Sequence, residues 1–127
     1  MITFKDILGE ALYDPSYAYK GNSYSGTPML TTVDNKRVYK NLSLSGTPLY
    51  TISNNRLYAG NSSSGTVLAT LDRNNVYLGN SYSGTPLATI SGNHIYKGNS
   101  VSGHILATSP SGCKYSLFAA AYHTLKY

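Results

Sequence analysis

Short hydrophobic runs of about four residues alternate with polar turns along most of the chain. The run Leu49–Ile52 is followed by Ser-Asn-Asn-Arg and then by Leu57–Gly60. Runs of this length that carry Tyr, Thr and Ile predict β-strands, and an Asn-Asn pair tolerates the positive φ angles of a type I′ turn. The pattern therefore predicts a β-hairpin in which Ile52 lies opposite Leu57 and Thr51 lies opposite Tyr58. We expect positive φ angles at Asn54-Asn55 and, in the corresponding turns, at Asn74 and Gly92-Asn93.

The hairpin pattern recurs with a period of 19 residues. The tyrosines that mark it are spaced 20, 19, 19, 19 and 19 residues apart, at Tyr19, Tyr39, Tyr58, Tyr77, Tyr96 and Tyr115. Self-similarity at a fixed period is the signature of a tandem repeat protein. The first unit is one residue longer than the others, and we expect a β-bulge near Pro28-Met29 to absorb the additional residue.

Alternation divides the predicted strands into two faces, and both are partly apolar. One face carries tyrosines and a threonine column, namely Thr32, Thr51, Thr70, Thr89 and Thr108. The other face is aliphatic and carries the pairs Val33/Val38, Ile52/Leu57, Leu71/Val76 and Ile90/Ile95. A large bare apolar face is rare on a soluble monomer, so either the sheet coils or two copies bury this face. We therefore expect Ile90→Asp to be more damaging than Thr70→Asp.

The two ends of the chain differ from the repeats, as repeat arrays require. Thr3–Leu12 has apolar residues at helical spacing, and Tyr13–Ser16 is interpreted as a degenerate hairpin turn. Near the other end, three successive alanines favour a helix with Ser116 as its N-cap. The prediction is a single all-β domain of tandem 19-residue hairpins, arranged as a meander or a solenoid, with helical terminal caps. Its parts are the N-terminal cap and degenerate hairpin (1–18), five repeats (19–114) and the C-terminal cap (115–127).

Composition supports a β-rich chain and narrows the function classes. Charged residues make up 12%, whereas 13 tyrosines and 12 glycines suit pleated surfaces and turns. The net charge of +5 favours anionic binding partners over cationic ones. The first ten residues do not have the pattern of a secretory signal, and no apolar run could span a membrane, so the expected location is cytoplasmic.

The sequence offers little catalytic chemistry. It has neither a glycine-rich phosphate loop nor metal-ligand spacing, so we expect no cofactor and no metal. The single cysteine, Cys113, lies one repeat after His94, and the two would stack only in a solenoid. Since no acidic residue is placed to orient this pair, we expect no enzymatic activity.

Candidate binding residues come from the repeated tyrosines and the polar loops. They are Tyr39, Tyr58, Tyr77, Tyr96, Asn61, Asn80 and Asn99. The first hypothesis is a non-enzymatic module that acts through protein–protein interaction or self-assembly as a homo-oligomer. The alternative is binding of a nucleic acid, another polyanion or a glycan through the tyrosine faces and Ser/Asn loops. Alternation places each lysine next to a tyrosine on the opposite face, which weakens the alternative.

The unit Y-x-G-N-S-x-S-G-T-P resembles the short tandem tyrosine–glycine repeats of small, mostly uncharacterised bacterial proteins. It is also loosely similar to the MORN repeat, another Tyr-x-Gly hairpin array. The resemblance covers residues 13–115, and it departs from MORN in the 19-residue period and the absence of tryptophan. It implies a hairpin-repeat fold and transfers no functional residue.

Overall fold

The structure is a computed structural model that describes residues 15–126. The predicted N-terminal helix at Thr3–Leu12 lies outside the described residues. The elements are β1 (Pro15–Lys20), β2 (Leu30–Val33), β3 (Arg37–Lys40), β4 (Tyr50–Ser53), β5 (Arg56–Ala59), β6 (Val67–Asp72), β7 (Asn75–Leu78), β8 (Ala88–Ser91), β9 (His94–Lys97), β10 (Ile105–Thr108) and α1 (Lys114–Lys126). Pro15 and Ser16 thus begin a strand, whereas the sequence had suggested a turn there.

The ten strands form one closed antiparallel barrel. Neighbouring strands follow chain order, and β1 pairs with β10 to complete the ring. The predicted all-β hairpin repeat is confirmed, and its form is a closed meander. Residues 15–126 provide five hairpin-like pairs, and the last tyrosine of the 19-residue series, Tyr115, lies in α1 and not in a strand. Closure leaves no strand edge exposed between the first and last repeats.

The predicted burial of the aliphatic face is confirmed, and coiling of the sheet achieves it. Ile52 lies opposite Leu57, and the corresponding pairs are Leu71–Val76 and Ile90–Ile95. All six side chains are buried in one core cluster. Of the two alternatives, coiling of the sheet and a face-to-face dimer, the structure therefore has the first for this apolar row.

The first repeat holds its additional residue in the hairpin turn and not in a bulge near Pro28-Met29. Val33 lies opposite Arg37, which leaves three residues in the turn, whereas the other turns have two. A shift of one residue moves a side chain to the other face of a strand. Thr32 therefore lies opposite Val38 in the interior, at the position that the sequence had predicted for Val33. Thr31 lies on the outer face, at the position that corresponds to Thr51 in the next hairpin.

The hairpin turns only partly match the predicted backbone. Asn54 and Asn55 have φ angles of 52° and 62°, which confirms a turn with positive φ at both central residues. In the next two turns, positive φ occurs at Arg73 and Gly92 but not at the asparagines that follow them. The predictions for Asn74 and Asn93 were wrong, because a type II′ turn needs positive φ at its first central residue alone.

The C-terminal helix is confirmed, and it runs through the barrel. Six consecutive residues, Ser116–Ala121, are buried, so the helix is covered on every side. Its first residues contact the hairpin turns, and His123 contacts Tyr50 near the opposite end. We call these two ends of the barrel the turn end and the rim. Ser116 is the third helical residue and not the N-cap, since Leu117 N–H donates to the Cys113 carbonyl.

The helix lies closer to one side of the barrel than to the other. It packs most closely on β1, β2, β8, β9 and β10. On that side the inward residues Ala18, Ala88 and Ala107 are small and fully buried, which permits close approach. The position equivalent to Ala88 is Tyr50 in β4, whose large side chain reaches across the remaining space. Among the described residues, α1 is the only helix, and it is too short and too polar to cross a membrane.

Candidate functional site

The outside of the barrel is organised by Thr–Tyr pairs. Thr51 lies opposite Tyr58, and the same pairing occurs at Thr31–Tyr39, Thr70–Tyr77, Thr89–Tyr96 and Thr108–Tyr19. Each threonine hydroxyl donates to a carbonyl at the start of a loop; Thr51, for example, donates to Gly60 at 2.7 Å. The other bonds are Thr31–Asn41, Thr70–Gly79, Thr89–Gly98 and Thr108–Gly21. The threonine column therefore holds the loops against the barrel.

The candidate tyrosines do not converge on one site. Tyr39 is buried, and Tyr58, Tyr77 and Tyr96 are half-buried. Because they belong to four different hairpins, the closed barrel distributes them around its circumference. A single small ligand cannot contact all four.

The loop asparagines have a structural partner in two of the three predicted positions. Arg37 Nε donates to Asn61 Oδ1 at 3.1 Å, and Arg56 Nε donates to Asn80 Oδ1 at 2.7 Å. Each bond joins the loop that follows one hairpin to a strand of the previous hairpin along the chain. Asn99 is exposed in the equivalent loop after β9. Asn61 and Asn80 thus stabilise the loops with the same side-chain oxygens that a ligand would need.

His94 and Cys113 have different partners. Cys113 Sγ donates to Asn35 Oδ1 at 3.2 Å. The Thr108 hydroxyl proton goes to the Gly21 carbonyl, so His94 Nδ1–H donates to Thr108 Oγ1, at 2.9 Å. Within residues 15–126, no three His, Cys, Asp or Glu side chains are grouped closely enough to hold a metal ion.

The rim carries a group of lysines that we call the basic rim, namely Lys20, Lys40, Lys97 and Lys126. The first three end the strands β1, β3 and β9, and the fourth ends α1. The two aspartates within the described part of the chain, Asp34 and Asp72, lie at the turn end instead. The turn end also carries basic residues, namely Lys36, Arg37, Arg56, Arg73 and Lys114. In the described part of the chain both ends are therefore net positive, and they differ because the acidic side chains lie at the turn end and not at the rim.

A cleft of about 390 Å³ opens at the rim, between α1 and the side of the barrel from which the helix is more distant. This rim cleft is lined by Lys40, Leu49, Tyr50, Ala59, Leu68, Tyr122 and His123. A hydrogen bond of 2.7 Å joins Tyr50 Oη to His123 Nδ1. The Tyr122 ring packs edge-on against Tyr50, with ring centroids 5.8 Å apart. A smaller cleft of about 260 Å³, which includes Lys20 and Met29, lies beside His123 as well.

The His123 imidazole has a perturbed pKa. Burial and, to a smaller extent, the Lys40 charge lower the pKa of His123 below its ordinary value of 6.5. Both effects disfavour the imidazolium form. The rim cleft at neutral pH thus presents an uncharged imidazole beside a lysine.

Sequence reasoning did not identify Tyr50 or His123 as site residues. One signal was available for Tyr50, because the equivalent positions in β6, β8 and β10 hold Ala69, Ala88 and Ala107. The equivalent position in β2 holds Leu30, so Tyr50 is the aromatic residue of this set and indicates a place where the interior differs. His123 offered no comparable signal, since its role depends on where the helix lies.

The turn end has a third cleft, of about 400 Å³, which is mostly polar. Its lining residues are Asn35, Ile52, Asn54, Asn55 and Tyr115. The Tyr115 hydroxyl donates to Asn55 Oδ1 at 3.2 Å, and Lys114 Nζ donates to the Arg73 carbonyl at 3.3 Å. These contacts anchor the start of α1 to the hairpin turns.

Comparison with known proteins gives one match. The family model described as "6-fold beta flower protein" matches residues 12–116. No curated protein and no solved structure matches the chain.

Proposed function

Because the chain belongs to the family of 6-fold beta flower proteins, we propose that it is a non-enzymatic binding module that contacts a protein partner through its loops. The family and the fold make it a small structural or binding module built from β-repeats. The closed barrel buries its aliphatic row, so the apolar surface available to a partner lies elsewhere.

The observation that carries this proposal is a repeated apolar side chain at the tip of the long loops. The middle residue of the Ser-x-Ser segment is Tyr24, Leu44, Tyr82 or Val101 in four loops, and these four are the loop-tip residues. Tyr24, Tyr82 and Val101 are 56%, 54% and 56% exposed. Large apolar side chains at equivalent exposed positions form a recurring feature, whereas isolated ones need no explanation.

The loops hold these side chains in a fixed orientation. In the last loop, Ser100 Oγ donates to the Ser102 carbonyl at 3.2 Å, and Ser102 N–H donates to Ser100 Oγ at 3.1 Å. The same pair of bonds recurs in the other four loops. A preordered loop loses less conformational entropy when it binds, which favours recognition by tip side chains.

Two features support protein contact over the glycan or polyanion alternative. Asn61 and Asn80 use their side-chain oxygens to accept hydrogen bonds from arginines of the barrel. The four candidate tyrosines face different directions around the ring. An extended polar ligand would need these groups together and available.

The remaining loop provides a natural control for the test. Its tip residue is Ser63, so serine is compatible with the loop conformation. We expect the variant with Tyr24, Leu44, Tyr82 and Val101 all replaced by serine to keep its circular dichroism spectrum and melting temperature. In capture experiments from the native host, it should lose the proteins that the wild type retains. A second variant, Leu42→Ser with Leu78→Ser, removes exposed apolar residues that are not at a loop tip, and it should retain these proteins.

Capture of the same proteins by the fourfold serine variant would contradict the proposal. Sedimentation velocity across a dilution series tests whether the partner is a second copy of this chain. In that case the wild type associates and the fourfold serine variant stays monomeric.

A further inference from the structure

The rim cleft combines a cation, a fixed polar pair and apolar walls. We propose that it binds a small organic anion that has a carboxylate group on a flat apolar body. This site is separate from the loop-tip residues and does not depend on the function proposed for them.

The charge distribution selects an anion. Lys40 lines the rim cleft, and Lys20 lines the neighbouring cleft on the other side of His123. Among residues 15–126, the lining of the rim cleft includes no carboxylate, and Asp34 and Asp72 lie at the opposite end of the barrel. An aromatic ring such as Tyr50 could attract a cation by itself, but the nearby ammonium group opposes a second positive charge.

The polar end of the cleft is held in place by neighbouring side chains. Tyr50 Oη and His123 Nδ1 are joined by a hydrogen bond, and their ring planes are nearly perpendicular, at 77°. Tyr122 fixes the other side of Tyr50 through an edge-on contact at 90°. A site whose side chains are already ordered has a lower entropic cost of binding.

The remaining walls are apolar. Leu49 and Leu68 are half-buried and pack against the core, and Ala59 leaves space at the rim because its side chain is small. The volume of about 390 Å³ lies in the range that small-molecule pockets occupy. Lysine near the mouth and apolar walls beyond it match a ligand with one charged and one hydrophobic end.

The test uses benzoate as the anionic probe and benzamide as its neutral counterpart. Chemical-shift titration of the full chain should show saturable benzoate binding that perturbs Tyr50, Tyr122 and His123. Benzamide should bind about tenfold more weakly or worse, because charge-assisted contacts contribute roughly that factor.

Two matched lysine substitutions and one substitution that fills the cleft locate the site. Lys40→Gln should weaken benzoate binding about tenfold. Lys97→Gln should change it by less than about twofold, because Lys97 ends β9 on the side where the helix packs closely and is therefore a rim charge. Ala59→Leu keeps every charge but fills the cleft, and Leu78 at the equivalent position shows that leucine fits the strand. This variant should abolish binding.

Three results would overturn the proposal. The first is that benzoate fails to bind at millimolar concentrations, and the second is that benzamide binds equally well. The third is that Lys97→Gln weakens binding as much as Lys40→Gln, which would mean that the whole basic rim attracts anions without a specific site.

Discussion

Tyr19 in β1 lies opposite Thr108 in β10, and this pair joins the two ends of the barrel. The Thr108 hydroxyl donates to the Gly21 carbonyl at 2.7 Å, as the Thr51 hydroxyl donates to Gly60 within a continuous hairpin. The closure between β1 and β10 is therefore a hairpin that lacks its turn. Its stability depends on strand pairing, the helix and side-chain hydrogen bonds, since no short connection links the two strands.

Removing the same hydroxyl at two places should distinguish the closure from an ordinary hairpin. Thr108→Val and Thr51→Val should each lower the free energy of unfolding by about 1 kcal/mol or more, because each leaves a partly buried carbonyl without its donor. Thr108→Val also removes the oxygen to which His94 Nδ1–H donates, and His94→Ala in the wild-type background measures that contribution separately. In Thr108→Val, hydrogen exchange of the Gly21 amide, which donates to Leu106, should also become faster through local opening. Equal exchange rates in the two variants would show that the closure is as stable as a continuous hairpin.

Adjacent threonines in β2 should respond in opposite directions to substitution by valine. Thr32 faces the interior, and its hydroxyl is buried without a hydrogen-bond partner in the described part of the chain. The equivalent residue in β4 is Ile52, so an apolar side chain suits the position. Thr32→Val should raise the stability by about 1 kcal/mol.

Thr31→Val is the matched control. The Thr31 hydroxyl donates to the Asn41 carbonyl at 2.6 Å, and its loss should lower the stability by about 1 kcal/mol. Urea unfolding of both variants measures the two changes. If Thr32→Val were destabilising, the inward register of β2 would be wrong.

The turn between β4 and β5 should tolerate glycine but not valine at Asn55. Its φ angle of 62° is poorly accessible to β-branched residues, so Asn55→Val should lose about 1 kcal/mol or more. Asn55→Gly keeps the backbone conformation and loses the side-chain contact with Tyr115. Tyr115→Phe removes that hydrogen bond alone and measures its contribution. The difference between the melting temperatures of the valine and glycine variants then measures the cost of a β-branched residue at positive φ.

The sequence predicted the hairpins because their determinants are local. Alternation placed Ile52 opposite Leu57, and the Asn54-Asn55 pair indicated the turn. The register of the first repeat was missed by one residue, because a bulge and a longer turn have the same length in sequence. The pairs on the outer face were otherwise correct, as at Thr51–Tyr58.

The candidate site could not be predicted in the same way. The rim cleft depends on barrel closure and on a helix that lies nearer to one side, and both are long-range properties. Tyr50 and His123 are 73 positions apart in the chain, and no repeat relates them. The alanine run indicated a helix but did not indicate that strands surround it.

Thr70 is a site where the structure reverses an expectation based on alternation. The sequence suggested that Thr70→Asp would be milder than Ile90→Asp, but Thr70 is fully buried and donates to the Gly79 carbonyl at 2.7 Å. Both Thr70→Asp and Ile90→Asp bury a charge, and each should cost about 3 kcal/mol or more. Thr70→Ser keeps the hydroxyl and should remain folded. A melting temperature for Thr70→Asp close to that of the wild type would show that the loop does not cover this face in solution.

The lowered pKa of His123 should make the stability of the protein depend on pH. Burial and the Lys40 charge disfavour protonation in the folded state, whereas the unfolded chain has the ordinary pKa of 6.5. Between these two pKa values the unfolded state binds more protons, so the stability is present above pH 6.5 and is lost as the pH falls through the folded-state pKa.

Within residues 15–126, the polar side chains that line the two clefts beside the imidazole are Lys20, Lys40, Tyr50, Tyr122 and Thr124, and none of them is a carboxylate. Replacing His123 with glutamine should flatten the dependence of the melting temperature on pH below about pH 6.5, where the unfolded imidazole binds its proton. His104 provides the control, because it is exposed in a loop and His104→Gln should leave the dependence in place. If His123→Gln kept the wild-type slope, another group would cause the loss of stability, and the imidazole would not be desolvated at the rim.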